Sequence, residues 1–236
     1  PCWAVKSQED VDRLFEEQLS RIQTDYIDFY LLHALNRGSF HNMVELGCVK
    51  RLDQLKAEGK IRNLGFSFHD GYDAFEEIIN YRDWDFCQIQ LNYMDTQDGP
   101  GMRGYELAEK KEIPLVIMEP VKGGSLACFA EDITETFRKL DPEASVASFA
   151  LRWVGTLPHV KVVLSGMSSM EQVEDNLKTF GDFTPLSPVE KKTVEDIVSL
   201  IRSRVQNGCT ACRYCMPCPA GVDIPGNFRA WNTYHM

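Results

Sequence analysis

Apolar positions along this chain keep two alternating periods, one of a helix face and one of a buried strand. Val11, Leu14, Phe15, Leu19 and Ile22 recur at helical spacing behind a capping pair, Ser7 and Asp10, which predicts a helix of about four turns. Asp25 to His33 follows, rich in aromatic and branched residues and nearly continuous in apolar character, as a parallel strand covered on both faces would be. The pattern then repeats. Val49, Leu52 and Leu55 form a helical stripe that stops at Gly59, and Ile61 to Ser67 reads as a strand. Phe75, Ile78 and Ile79 mark a helix before a strand from Phe86 to Tyr93. Leu107 and Ala108 lie on a helix before a strand from Pro114 to Glu119. Asp141-Pro142 reads as the start of a helix carrying Ala147, Ala150, Leu151 and Val154, and Val160 to Leu164 is the fifth strand.

Strict alternation of strand and helix specifies a parallel α/β sheet, either open and doubly wound or closed into a barrel, and the pattern alone does not separate the two. Beyond the last strand, Ser168 and Glu171 predict another capped helix, running to about Phe180. Ser187-Pro188-Val189-Glu190 starts a further helix, faced by Val194, Ile197, Val198, Ile201 and Val205 and stopped at Gly208. The predicted division is an α/β domain over residues 1–184 and a helix plus cysteine-rich segment over residues 185–236.

Composition narrows the partners. The 236 residues carry a net charge of −10, which repels phosphate backbones and argues against nucleic acid as the main partner. No stretch has the apolar length of a membrane span and no signal peptide opens the chain, so the expected location is the cytoplasm. The chain begins on Pro1 with no lead-in to its first helix, which reads as a cut end. Cys2, Cys48, Cys87 and Cys128 are scattered singly and read as reduced packing residues.

The other four cysteines arrive together as Cys209-x2-Cys212-x2-Cys215-x2-Cys218-Pro219. Neighbouring thiols at this spacing do not meet the geometry of a disulfide, whereas they can wrap a [4Fe–4S] cube. The ferredoxin run places three residues before its last cysteine; here there are two, which leaves open whether Cys218 or a residue past Met236 is the fourth ligand. Zinc stays an alternative, although zinc ribbons separate their cysteine pairs by a dozen or more residues.

Several stretches together resemble the aldo/keto reductase family: Tyr26-Ile27-Asp28-Phe29-Tyr30-Leu31-Leu32-His33, Gly59-Lys60-Ile61-Arg62-Asn63-Leu64-Gly65-Phe66-Ser67, and Leu164-Ser165-Gly166 with Glu174-Asp175-Asn176. Met118-Glu119-Pro120 with Gly123-Gly124, and Cys-Pro-Ala-Gly-Val-Asp-Ile-Pro over residues 218–225, resemble the branch of that family with a carboxy-terminal ferredoxin-like segment. The resemblance runs from near Pro1 to about Phe180. It implies a (β/α)8 TIM barrel, present here in part as strands four to eight, with ligands at the carboxyl ends of the strands. It also implies a fragment that lacks the first three βα units and the carboxy-terminal end.

A histidine at the mouth of a parallel strand suits hydrogen-bond or acid/base work, and equally a core histidine satisfied by a carbonyl. The resemblance gives His33 the family's active-site role of orienting and polarising the substrate carbonyl. It implies that Ser67 and Gln90 bind the nicotinamide carboxamide, with Phe68 where relatives carry an asparagine, and that Met118 packs on the ring where relatives stack a tyrosine. Gly166-Met167-Ser168-Ser169 before a helix is a local anion site and equally a plain helix start, with Lys122 as an added charge. The resemblance assigns adenosine contacts to Gln172, Asp175 and Asn176. His69 reads as a second polar group at the mouth or as an ordinary loop residue; His41, His159 and His235 show no ligand spacing.

Two function classes follow. One is an NAD(P)-dependent oxidoreductase moving hydride between NADP(H) or NAD(H) and a small carbonyl or alcohol substrate, coupled to a 4Fe–4S cluster and through it to an electron-transfer protein. The other is a non-catalytic redox sensor or electron-transfer module with the barrel as scaffold. The family's proton-donor tyrosine, its lysine and its aspartate belong to the missing units, so the fragment alone is expected to be inactive and to expose part of its core.

Overall fold

The structure, a computed structural model, describes residues 4–205, 207 and 215–235. It divides into two compact units, Pro1–Pro120 with Val154–Gly166 and Val121–Trp153 with Met167–Met236.

The first unit opens with α1 (Gln8–Ile22), capped by Ser7, whose hydroxyl accepts the Asp10 N–H at 3.3 Å. Then come β1 (Ile27–Leu35), α2 (Arg37–Glu45), α3 (Cys48–Ala57), β2 (Ile61–Phe68), α4 (Tyr72–Tyr81), β3 (Phe86–Gln90), α5 (Gly101–Lys110), β4 (Leu115–Met118) and β5 (Val160–Val163). The five strands among the described residues are parallel, in the order β1-β2-β3-β4-β5. The alternation predicted from the sequence is therefore realised.

Register sorts the side chains onto two faces, because partners across a parallel pair point the same way. Tyr30 aligns with Leu64, and Leu32 with Phe66. This face lies under the helices: Phe66 packs edge-on to Trp84 and Phe68 edge-on to Phe75 of α4, while Tyr30 meets Phe15 of α1. Leu64, Phe66, Cys87, Ile89, Leu115 and Ile117 are all 0% exposed here. Burial pushes the Cys87 thiol pKa up, which keeps it protonated and inert.

The other face carries Leu31, Gly65 and Phe86 in one row and Ser67, Gln88, Val116 and Val162 in another. Gly65 is required there. A Cβ on it would lie 2.7 Å from the Phe86 ring, through which Phe86 reaches Phe29 at 5.6 Å. Phe29 is 68% exposed and Val162 47%, so this face is only partly covered.

The second unit has α6 (Glu131–Leu140), α7 (Val146–Gly155) as far as Trp153, α8 (Met170–Gly181), α9 (Pro188–Arg204) and α10 (Ile224–His235). Ile133, Phe137, Phe149, Val194, Ile197 and Ile201 are buried in it. The predicted helix start at Ser187 is present, with proline in the first turn, and Ser187 and Glu190 form a reciprocal capping box there. Asn207 and Asn232 exchange hydrogen bonds that tie α10 to the chain after α9.

Several boundaries differ from the sequence reading. Asp141 does not start a helix; it is the C-cap of α6, and α7 begins after Ser145, whose hydroxyl accepts the Ser148 N–H at 3.0 Å. The cap of α8 is Ser169 in place of Ser168, its hydroxyl accepting the Gln172 N–H. Strand β3 ends at Gln90, three residues before Tyr93. Helix α9 ends at Arg204 with Val205 as its C-cap, whereas the predicted stop, Gly208, lies outside the described residues. Cys128 is exposed and so is no packing residue, unlike the buried Cys48 and Cys87; Cys2 lies outside the described residues.

Candidate active site

The carboxyl ends of β1 to β4 gather four of the first unit's predicted site residues, His33, Ser67, Gln90 and Met118. Leu32 pairs with Phe66 and Leu35 with Phe68, so His33 and Ala34 together oppose the single residue Ser67. This is a β-bulge, a device that bends a strand and re-aims a side chain. Ala34 has φ 56°, a left-handed conformation unusual for alanine. Its N–H donates to Ser67 Oγ at 2.7 Å, and Ser67 is 1% exposed. On the far side of the bulge the His69 N–H donates to the Leu35 carbonyl at 2.8 Å. His33 itself is exposed.

Gln90 and Met118 face each other as register partners at the ends of β3 and β4. Gln90 is exposed and Met118 half-buried, with Gln88 Nε2 3.4 Å from the Met118 sulfur. The residue after Met118, Glu119, also has a left-handed backbone, φ 57°. Asn92 holds it: its Nδ2 donates to the Glu119 carbonyl at 3.1 Å and to Asp95 Oδ2, while its Oδ1 accepts the N–H groups of Met94 and Asp95. Asn92 is 0% exposed. Sequence reasoning passed over it, although a lone asparagine inside Leu91-Asn92-Tyr93-Met94 was the available signal. Strained backbone thus follows both His33 and Met118, each time held by a buried side chain from the neighbouring strand or loop.

Phe68 points away from this mouth, into the helix-side core against Phe75. No ligand contact can come from its side chain there. His69 is exposed on the loop after β2, and beside it Asp70 accepts the N–H groups of Arg37 and Gly71 at 3.0 and 2.8 Å. Those two bonds hold the Asp70 carboxyl below its ordinary value. His41 pairs with Glu77, and the His159 ring meets the Ile113 carbonyl, both structural uses.

Gly166 ends the first unit with open space where a Cβ would stand, so packing does not demand glycine. In the second unit, Gln172 Oε1 accepts the Ser168 N–H at 2.7 Å and lies 3.3 Å from its hydroxyl. An anion at this helix start would have to displace that side chain. Asp175 accepts the Ser145 hydroxyl at 2.6 Å, and Asn176 is half-buried next to it. Lys122 is exposed in a short 3-10 turn, Lys122–Gly124.

Cys209 and Cys212 lie outside the described residues; Cys215 is an exposed free thiol and Cys218 a half-buried one. Among the described residues no three His, Cys, Asp or Glu side chains are placed to hold a metal ion, and no helix is long and apolar enough to cross a membrane.

Residues 4–199 match the profile of the Aldo/keto reductase family. Among curated proteins, L-galactose dehydrogenase of Arabidopsis thaliana is 24% identical over 213 residues, covering 83% of this chain and 65% of the relative. NADH-specific methylglyoxal reductase of Escherichia coli is 25% identical over 195 residues, covering 72% and 59%. The chain thus spans about 60% of the length of the curated relatives it matches. Among solved structures, aldo-keto reductase AKR11C1 from Bacillus halodurans superposes with a TM-score of 0.68 at 23% identity, covering 83% of this chain and 69% of that one. An aldo-keto reductase from Klebsiella pneumoniae in complex with NADPH gives a TM-score of 0.64 at 22% identity, covering 83% and 66%.

Proposed function

The chain belongs to the aldo/keto reductase family, and from that premise we propose that it carries part of a nicotinamide-dependent carbonyl reductase or alcohol dehydrogenase site. The observation that carries this reading is the convergence of His33, Ser67, Gln90 and Met118 at the carboxyl ends of adjacent parallel strands, where α/β enzymes bind ligands. The donor set fits a nicotinamide. Gln90 offers an exposed amide for the carboxamide, Met118 a polarisable thioether for the ring face, and Ser67 a hydroxyl proton beyond the bond it accepts.

NADP(H) or NAD(H), when bound, supplies or accepts the hydride. His33 donates a hydrogen bond to the substrate oxygen, orienting the carbonyl and stabilising the charge that develops on it. In the second unit Ser168, Gln172, Asp175 and Asn176 are the proposed contacts of the adenosine part. The acid that protonates the alkoxide comes from βα units additional to this chain. The open five-stranded sheet, with Phe29 and Val162 exposed, supports that reading.

The second half of the proposal is a 4Fe–4S cluster held by Cys209, Cys212, Cys215 and Cys218. Its support is thiolate chemistry at two-residue spacing, with Cys215 and Cys218 both outside any disulfide. Bound there, such a cluster would supply one-electron transfer to a protein partner; small carbonyl compounds are the proposed substrate class. The segment over residues 185–236 is its proposed domain, beside the reductase part over residues 1–184.

The test follows NADPH and NADH oxidation by the complete polypeptide with methylglyoxal and small aldehydes. Turnover is expected, falling by about 10²-fold or more in His33→Gln. No turnover despite tight cofactor binding would refute the reductase reading, and no cofactor binding at all would favour the non-catalytic electron-transfer module. Anaerobic protein should show brown absorbance and about four irons per chain; stoichiometric zinc without sulfide refutes the cluster.

A further inference from the structure

Ser67 has a use in this structure besides any contact with a cofactor. Its Oγ is buried and accepts a 2.7 Å bond from a backbone N–H of the bulge, that of Ala34. The bulge opposes two residues of β1 to one of β2, and that one is Ser67. A side-chain oxygen therefore takes the acceptor place for a group that has left the regular ladder. Such a group is costly to leave unpaired when buried, so the oxygen and the left-handed Ala34 backbone depend on each other.

We propose that Ser67 is a positioning residue for His33: by anchoring the Ala34 N–H it fixes the bulge and so aims the imidazole at the mouth of the sheet. The inference rests on the reading of His33 as the substrate-facing residue only for its functional meaning; the positioning itself stands on the geometry. Without Oγ, the His33–Ala34 pair can relax toward regular pairing, and a one-residue slip sends a strand side chain to the opposite face. The bond between His69 N–H and the Leu35 carbonyl confines that relaxation to the bulge.

The experiment compares wild type, Ser67→Ala and Ser67→Thr in the complete polypeptide, labelled with 15N-alanine, 15N-phenylalanine and 15N-histidine. It reads the Ala34 amide exchange rate, the His33 ring resonances and the unfolding midpoint. In Ser67→Ala the Ala34 amide should exchange about tenfold faster or more, a loss on the scale of one hydrogen bond. The His33 ring signals should shift, the Phe66 and Phe68 amides should hold, and Ser67→Thr should restore both reporters. If Ser67→Ala does not fold, Ser67→Cys, with a weak sulfur acceptor of similar size, should give intermediate values. Unchanged Ala34 exchange and His33 signals overturn the proposal, as does a loss spread equally over Phe66 and Phe68. None of these readouts needs turnover. An inactive polypeptide with a shifted His33 would refute the reductase reading and leave this one standing.

Discussion

The two faces of the first unit's sheet are built from the same five strands and differ in almost everything else. Under the helices, Leu64, Phe66, Ile89, Leu115 and Ile117 are fully buried and purely apolar. On the other face the polar Asn63, Ser67, Gln88 and Gln90 sit among apolar side chains, Phe29 and Gln90 are exposed, and two strand ends carry left-handed backbone, at Ala34 and Glu119. The first face fixes the fold through burial, which is non-directional and tolerant of detail. The second depends on individual hydrogen bonds, Ala34 to Ser67 and Asn92 to Glu119, and so fixes positions.

The largest effect should separate the faces outright. Phe66→Ala removes a 0% exposed ring lying against Trp84 and Phe75 and should cost about 3–5 kcal/mol in denaturant unfolding. Phe29→Ala on the open face should cost less than about 1 kcal/mol and lessen self-association of the isolated chain, measured by light scattering. Equal costs at the two positions would mean that both faces contribute alike to stability.

Next comes a place where the open face is tightly packed. Gly65→Ala would drive a methyl group against the Phe86 ring and carbonyl, the latter 2.6 Å away, and should destabilise by about 1–3 kcal/mol. Adding Phe86→Leu to Gly65→Ala should recover part of that loss; no recovery would put the strain elsewhere.

Much of the first face was legible in the sequence because burial on a strand leaves a continuous apolar run, as at Ile61 to Ser67 and Pro114 to Glu119. Helix starts were legible too where the residues are distinctive, as at Ser187-Pro188-Val189-Glu190. Helix α2 escaped because Phe40 and Met43 are its only buried residues, although Asn36 and Ser39 cap it reciprocally. Helix α6 escaped for a related reason: it starts after Ala130 with no side-chain cap, and only Ile133 and Phe137 are buried in a polar sequence. Asp141-Pro142 then looked like a start, since aspartate suits either end of a loop. The site was legible as residue types and illegible as geometry. An alanine gives no sign of a positive φ, and a bulge arises from pairing between strands far apart in the sequence.

The smallest expected effect is electrostatic and confined to the mouth. Asp70 bonds two backbone N–H groups and has a lowered pKa, so its contribution is present above the ordinary carboxyl value of 3.8 and is lost as pH falls through the lower folded value. As pH drops below the ordinary value of 3.8, protection of the Arg37 and Gly71 amides, relative to their intrinsic exchange at each pH, should fall before that of Phe66 or Ile89. Simultaneous change would mean that the two faces open as one.

The most direct test of the account is a titration of the complete polypeptide with NADPH and NADH, followed by nicotinamide fluorescence, in wild type, Gln90→Ala and Cys87→Ala. Gln90 and Cys87 lie on the same strand and point to opposite faces. Saturable binding is expected, weakening about tenfold or more in Gln90→Ala, on the scale of one hydrogen bond, and staying near wild type in Cys87→Ala. Absence of saturable binding, or equal weakening in both variants, would contradict the assignment of this face as the cofactor site.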